Sequence, residues 1–266
     1  MGFQPVIHRL QNLLLSQGYP FRLYMHGWVP YESRAGQRSF KGRAPPRIMA
    51  EYSKESHSKV RRIPDRAHYD EETIHDIIDS APICHVSFIQ EGRPFVIPCI
   101  HGRARRTIYL HGAKASRLLG ETGSGRNLCL AFTNLDGIVL ARSLFHSSMN
   151  YRSVVAFGSG RKLEGAEKLE SLRVISDALV QGRWEEAREP TEKELRATSV
   201  VAVDIEHATA KIRTGGANDD EEDLSGPWWA GVLPIESGFM EPIPNKDLRA
   251  GVQIPKNISD KVGTKI

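Results

Sequence analysis

The chain has 266 residues, 40% hydrophobic and 26% charged, with a formal net charge of +4. This composition suits a globular protein of one domain with extensions, or two small domains, and no apolar run approaches the ~20 residues of a membrane span. Residues 1–48 carry seven Lys or Arg against the single acid Glu32, so the rest of the chain is slightly acidic. The basic balance therefore argues against a nucleic-acid-binding body, and neither a nucleic-acid nor a membrane partner is expected.

Residues 1–50 are rich in Arg, Gly, Pro and Ser and read as a disordered basic segment or a mitochondrial presequence, with Met49 an alternative start. The expected compartment is cytoplasmic, or mitochondrial if residues 1–48 are a presequence. The compact domain is assigned to residues 51–235, with its patterned part opening near Arg61. Asp70 is placed to cap a helix carrying Ile74, Ile77 and Ile78 on one side. His85–Ile89 and Arg93–Ile100 flank Glu91-Gly92 and predict a hairpin. Thr107–Leu110 is a third strand, and Ala115–Leu119 opens a helix. Leu128–Thr133 and Ile138–Ser143 read as two strands joined by a turn at Asp136-Gly137, and Tyr151–Gly158 follows as the next.

Glu167–Leu179 places Leu169, Leu172, Ile175 and Leu179 on one helical face. Thr191-Glu-Lys-Glu194 is a capping box, and Thr198–Ile205 is a β-branched strand. Asn218–Asp223 reads as a solvated acidic loop, and residues 236–266 lack periodicity and read as a mobile tail. Short antiparallel strands at this spacing predict a mainly β fold, a barrel or sandwich with flanking helices. Cys84, Cys99 and Cys129 are odd in number without C-x-x-C spacing, so free thiols are expected. The ten histidines form no metal-ligand pattern.

Three stretches carry candidate chemistry. In Thr107–Leu118 a strand runs into Gly112-Ala113, and Ser116 and Arg117 stand at the first turn of the following helix. Backbone N–H groups, a hydroxyl and a guanidinium there suit a phosphate. In Phe95–Ile100, Pro98 interrupts an apolar run, as at an edge or a bulge, and leaves backbone groups open to a flat heterocycle. Ala141–Ser153 is polar for a link between strands and carries Arg142, His146, Asn150, Tyr151 and Arg152. No acid partner for His146 is evident and no G-x-S-x-G elbow occurs, which disfavours acyl transfer.

Gly92-Arg-Pro-Phe-Val-Ile-Pro98, Ile108-Tyr-Leu-His-Gly-Ala-x-Ala-Ser-Arg117, Asp136-Gly-x-Val-Leu-Ala-Arg-Ser143 and Met149-Asn-Tyr-Arg-Ser-Val-Val-x-Phe-Gly158 together resemble the FMN-binding split-barrel family. This is the pyridoxamine 5'-phosphate oxidase-like superfamily, in the branch similar to nitroimidazole-resistance proteins. The resemblance covers about Arg61 to Pro234. It implies a six-stranded split barrel and a homodimer with two flavin sites at its interface. It also implies FMN as cofactor, with FAD or haem as alternatives.

Carried over by position, Val96, Ile97, Pro98 and Cys99 line the flavin ring, and His111 and Gly112 lie beside the ring or ribityl chain. Ser116 and Arg117 hold the phosphate, and Tyr151, Arg152 and Ser153 approach from an adjoining strand. Trp229 reaches the partner subunit's flavin. Pyridoxamine phosphate oxidases continue the serine with Arg-Lys, whereas this chain has Arg117-Leu118, and Trp229–Pro234 lacks their basic residues. Pyridoxamine phosphate oxidation is therefore not expected. The reading is a flavin-dependent oxidoreductase acting on a small molecule, with His111 as proton donor or substrate-orienting group. The alternative is a non-catalytic flavin or haem carrier, with His111, His146 or Cys99 as axial ligand.

Overall fold

The structure, a computed structural model, describes residues 50–266. The basic segment assigned to residues 1–50 lies, but for Ala50, outside the described residues. Tyr52 is already part of the core, ahead of the Arg61 boundary. Helix α1 (Glu71–Ser80) follows its sequence signals: the Asp70 carboxylate accepts the Thr73 N–H at 2.8 Å, and Ile74, Ile77 and Ile78 are buried. Each of those side chains contributes about 2 kcal/mol of apolar burial.

Strands β1 (Ala67–His68), β2 (Cys84–Gln90), β3 (Arg93–Cys99), β4 (His101–Ala104), β5 (Thr107–Ala113), β6 (Ser124–Leu140), β7 (Ser148–Lys162), β8 (Thr198–Arg213) and β9 (Gly231–Pro234) form one antiparallel sheet. Its order is β3-β2-β6-β7-β8-β5-β4, with β1 on β8 and β9 on β6. The mainly β architecture expected from strand spacing is present. The β2–β3 turn has Glu91 at φ 50 and Gly92 at φ 74, the left-handed pair that a two-residue hairpin favours.

Asp136-Gly137 is not a hairpin turn. It is a β-bulge inside the 17-residue β6, which runs on from Ser124 to Leu140. The bulge shifts the alternation, so Leu128, Leu130, Phe132 and Asn134 point inward before it and Val139 after it. The true β6–β7 connection is the seven-residue loop 141–147, which forms the tip of a long ribbon.

Helix α2 (Arg117–Thr122) sends Leu118 and Leu119 into the main core, between strands that α1 closes from another side. Helix α3 (Gly165–Leu179) packs outside β4, β5 and β8 over a second cluster of Leu163, Ile175, Val200 and Ala202. Coverage on both faces explains the unbroken apolar run Val200–Val203. The face expected for α3 is only partly correct: Ile175 is buried, but Leu169 and Leu179 are exposed and Lys168 is buried instead. Lys168 tolerates burial because its ammonium donates to the Leu195 and Thr198 carbonyls, both at 2.6 Å.

Helices α4 (Arg183–Glu186) and α5 (Glu192–Ala197) follow, α5 with the Thr191/Glu194 capping box. Residues 236–266 contain bridges Gly238–Lys265 and Phe239–Val262 and the short helix α6 (Lys256–Ser259). Backbone hydrogen bonds, to which hydrophobic periodicity is blind, hold this stretch, some of them between its two ends, as from Gly263 N–H to Phe239 O at 2.9 Å. No helix among the described residues is long and apolar enough to cross a membrane.

Candidate functional site

Two strand edges and one short helix build the candidate site. β3 ends the sheet and has β2 on one side only. Pro94 and Pro98 pair with Ile89 and His85 at positions of the same parity as Val96. A proline has no N–H to give to a ladder, so these positions direct their backbone nitrogens to the open edge. Val96 is then the residue between two prolines that still offers an outward N–H. The prolines block further strand addition, and Val96 is left as the polar contact point on the edge. Val96 and Pro98 point outward, whereas Ile97 and Cys99 turn toward the core. The four residues expected to line a ring therefore divide, and only backbone groups and two side chains face outward.

β5 supplies the second edge. It pairs with β8 along its whole length, but β4 covers only Thr107–Leu110. His111, Gly112 and Ala113 thus keep one edge unpaired. Helix α2 links the edges. A Cβ on Gly112 would lie 3.2 Å from Leu119 Cδ1, and the Arg117 guanidinium stacks 4.4 Å over the Phe95 ring. The structure therefore brings His111, Gly112, Ser116, Arg117 and the β3 edge together.

The turn before α2 is less open than its sequence suggests. The Lys114 N–H donates to Ala197 O and the Ser116 N–H to Ala113 O, each at 2.8 Å. The side chains of Ser116 and Arg117 remain for an anion. Ser116 is the N-cap residue, yet its hydroxyl caps nothing. Arg117 has no carboxylate within ion-pair distance among the described residues, and its stacked guanidinium keeps its in-plane N–H groups for an acceptor. A spare hydroxyl and an uncompensated guanidinium beside two open edges fit a phosphate-bearing, flat ligand. Partial burial pushes the His111 pKa down, which favours the neutral imidazole with its one donor and one acceptor.

Tyr151, Arg152, Ser153 and Trp229 are elsewhere. Tyr151 pairs with Arg213 at one end of β8, whereas His111 pairs with Val200 near the other. Thirteen positions of β8 separate these partners, about 40 Å at strand rise. Along β8 the two groups therefore lie toward opposite ends. Arg152 donates from Nε and Nη2 to Asp136 at 2.9–3.2 Å, and from Nη1 to Ser80 Oγ at 3.4 Å. Trp229 lies just before β9 on the same ribbon end and is 67% exposed.

The acidic loop is an anchor rather than a free loop. Asp219 accepts the Arg142 N–H at 2.7 Å and its guanidinium at 2.8 Å. Burial alone would raise the Asp219 pKa, but these bonds outweigh it and hold the carboxyl below its usual range. Asp220 meets His146 Nε2 at 3.0 Å, the acid partner that sequence inspection did not find. Seventy-four positions separate the two, so no local motif could reveal the pair.

Sequence inspection also missed His57 and His207. Their rings lie 5.1 Å apart, and the His57 ring stands edge-on to Phe157 at 4.9 Å. A cavity of about 700 Å³ elsewhere, between α1, β4, α3 and the C-terminal stretch, includes His101 but none of the candidate residues.

The comparisons agree with this architecture. A family model described as pyridoxamine 5'-phosphate oxidase matches residues 70–212. The flavocytochrome Anf3 from Azotobacter vinelandii superposes with a TM-score of 0.75 at 36% identity, over 80% of this chain and 100% of that one. The FAD and haem binding protein from Mycobacterium smegmatis gives 0.72 at 31% identity, over 74% of this chain and 98% of that one. No curated protein sequence matches the chain significantly.

Proposed function

The chain belongs to the pyridoxamine 5'-phosphate oxidase family of flavin-binding split barrels, and from that premise we propose that it is a redox protein holding both a flavin and a haem. One observation carries this reading. Two structures more than 30% identical to the chain, aligned over 98–100% of their own length, are named a flavocytochrome and an FAD and haem binding protein. The split-barrel resemblance alone implies FMN; the Mycobacterium smegmatis relative, named for FAD, favours FAD.

When bound, a flavin supplies hydride and electron transfer. The protein's part is to hold and orient it. Ser116 and Arg117 take a phosphate, Val96 offers its outward backbone groups to the polar edge of the ring, and Gly112 lets the ligand approach β5 closely. Neutral His111 gives or accepts a proton at a small substrate beside the ring. The second group of residues reaches this site only from another copy of the chain. Exposed Trp229 and Phe145 on the ribbon end, the latter 89% exposed, form an apolar surface that such a copy would cover. The assembly in this reading is a homodimer, with Trp229 next to the partner's flavin and Arg152 kept by Asp136.

The absorbance spectrum of the purified protein tests the reading. Flavin bands together with a Soret band are expected, with released FAD identified by mass. FMN without a Soret band would favour a simple flavin oxidoreductase, and absence of both groups after cofactor loading would sink the proposal.

A further inference from the structure

The ladder between β2 and β6 is short, and a groove opens where it ends. The two strands pair only from His85↔Ala131 to Ser87↔Cys129. Beyond that point they part, although β2 stays paired to β3 as far as Gln90 and β6 to β7 as far as Ser124. Helix α2 packs against both strands, and its Glu121 lines the gap. The groove measures about 400 Å³, within the range of small-molecule pockets. Ser87, Cys129 and Phe157 line its paired end, and the Phe157 ring is already held edge-on by His57 at 4.9 Å. Buried Phe88 and Leu128 give it an apolar bottom. Ile89, Arg126 and Asn127 join Glu121 at the end where the strands have parted.

Contacts join this groove to the phosphate site. Arg117 stacks 4.4 Å over Phe95, and Phe95 stacks on Phe88 with ring centroids 5.5 Å apart. Glu121 stands four residues after Arg117 and therefore on the same side of α2. Two strand spacings, about 10 Å, separate β3 under Arg117 from β6. A second phosphate and a ribose cover that reach.

The polar groups at the parted end match a nucleoside. Ile89 pairs with Pro94, which has no N–H to exchange, so the Ile89 N–H and C=O point away from β3 into the gap. No ladder partner meets them there. A donor and an acceptor side by side suit the ring nitrogen and amino group of adenine. Asn127 Oδ1 accepts from Ser159 Oγ at 3.4 Å, which leaves the Asn127 Nδ2 donor over. Arg126 Nη1 donates to Glu121 Oε2. The Glu121 carboxylate keeps Oε1 for a ribose diol, as an acidic residue does at other dinucleotide sites, and Arg126 keeps Nη2 for a phosphate.

We propose that this groove holds the adenosine half of FAD, with Glu121 on the ribose hydroxyls, Arg126 on the second phosphate and the Ile89 backbone on the adenine edge. This assignment rests on the flavin reading above. It makes the choice of FAD over FMN a property of this chain's own residues.

The test titrates full-length protein, freed of flavin, with FAD and with FMN, and follows flavin fluorescence. Wild type is expected to bind FAD more than about tenfold tighter than FMN. Asn127→Trp fills the groove from an exposed position and should weaken FAD by more than about tenfold. Its FMN affinity should match wild type, which also shows that the variant folds. Glu121→Gln should weaken FAD by about tenfold and leave FMN unchanged. Arg117→Ala should weaken both flavins alike. Wild-type protein that binds neither flavin overturns the flavin reading and this assignment with it. Wild-type protein that binds FMN as tightly as FAD overturns the assignment alone. So does an Asn127→Trp or Glu121→Gln variant that keeps wild-type FAD affinity or loses both flavins equally.

Discussion

The split between β3 and β5 and the tip of the β6–β7 ribbon are both rich in arginine and histidine, yet they treat charge in opposite ways. At the tip, Arg142 meets Asp219, Arg152 meets Asp136 and His146 meets Asp220. At the split, Arg117 stacks on Phe95 without a carboxylate, and the Ser116 hydroxyl caps nothing. Paired charges hold loops in place, whereas the uncompensated donors at the start of α2 stay available to a ligand. Residue type alone could not make that distinction.

The largest expected effect tests how the split is seated. A Cβ on Gly160 would lie 2.0 Å from Thr122 O at the end of α2, so Gly160→Ala must displace the helix or β7. Overpacking of this kind is expected to cost about 3 kcal/mol, read by urea unfolding. Gly137→Ala at the ribbon meets nothing closer than 3.0 Å and should cost clearly less. Equal losses would remove the contrast between a tightly seated split and a tolerant ribbon.

Next is Arg117→Ala. Loss of a charge-assisted contact should weaken flavin retention by about 1.5–3 kcal/mol, or roughly 10- to 100-fold. Flavin affinity equal to wild type would take Arg117 out of the site. Arg152→Ala should behave differently. Its half-exposed pair with Asp136 is worth about 0.5–1 kcal/mol of stability, and flavin affinity should change by less than about twofold. A tenfold loss of affinity would bring the ribbon end into the flavin site.

The smallest signal concerns pH. Burial holds the His101 pKa below its ordinary value of about 6.5. Its Nε2 lies 3.0 Å from Ile78 O, and Nδ1 has no partner. Below about pH 6.5 the unfolded chain takes up a proton that the folded protein refuses, so stability falls as pH drops toward the folded pKa. Burial gives His75 the same sign. His101→Gln should flatten the decline of melting temperature between neutral and mildly acid pH; a decline as steep as wild type would assign it to other groups.

Local chemistry made much of this protein legible in its sequence. The Asp70 cap, the Glu91-Gly92 turn and the Thr191/Glu194 capping box act over two to four residues, and each appears where the sequence places it. Ser116 and Arg117 likewise announce a helix start that the structure contains. What failed was long-range. Asp136-Gly137 has the composition of a turn, but cross-strand pairing with β7 and β9 carries β6 through it as a bulge. Asp220 reaches His146 across 74 positions, and Ser53 reaches His207 across 154. The separation of Tyr151 from His111 follows from where each strand lies along β8, which periodicity does not encode. The sequence by itself determined which segments become strands, turns and capped helices, because those depend on neighbours along the chain. Only the tertiary structure decided which charges are paired and which donors stand open, because pairing and register are set by partners that the chain brings from far away.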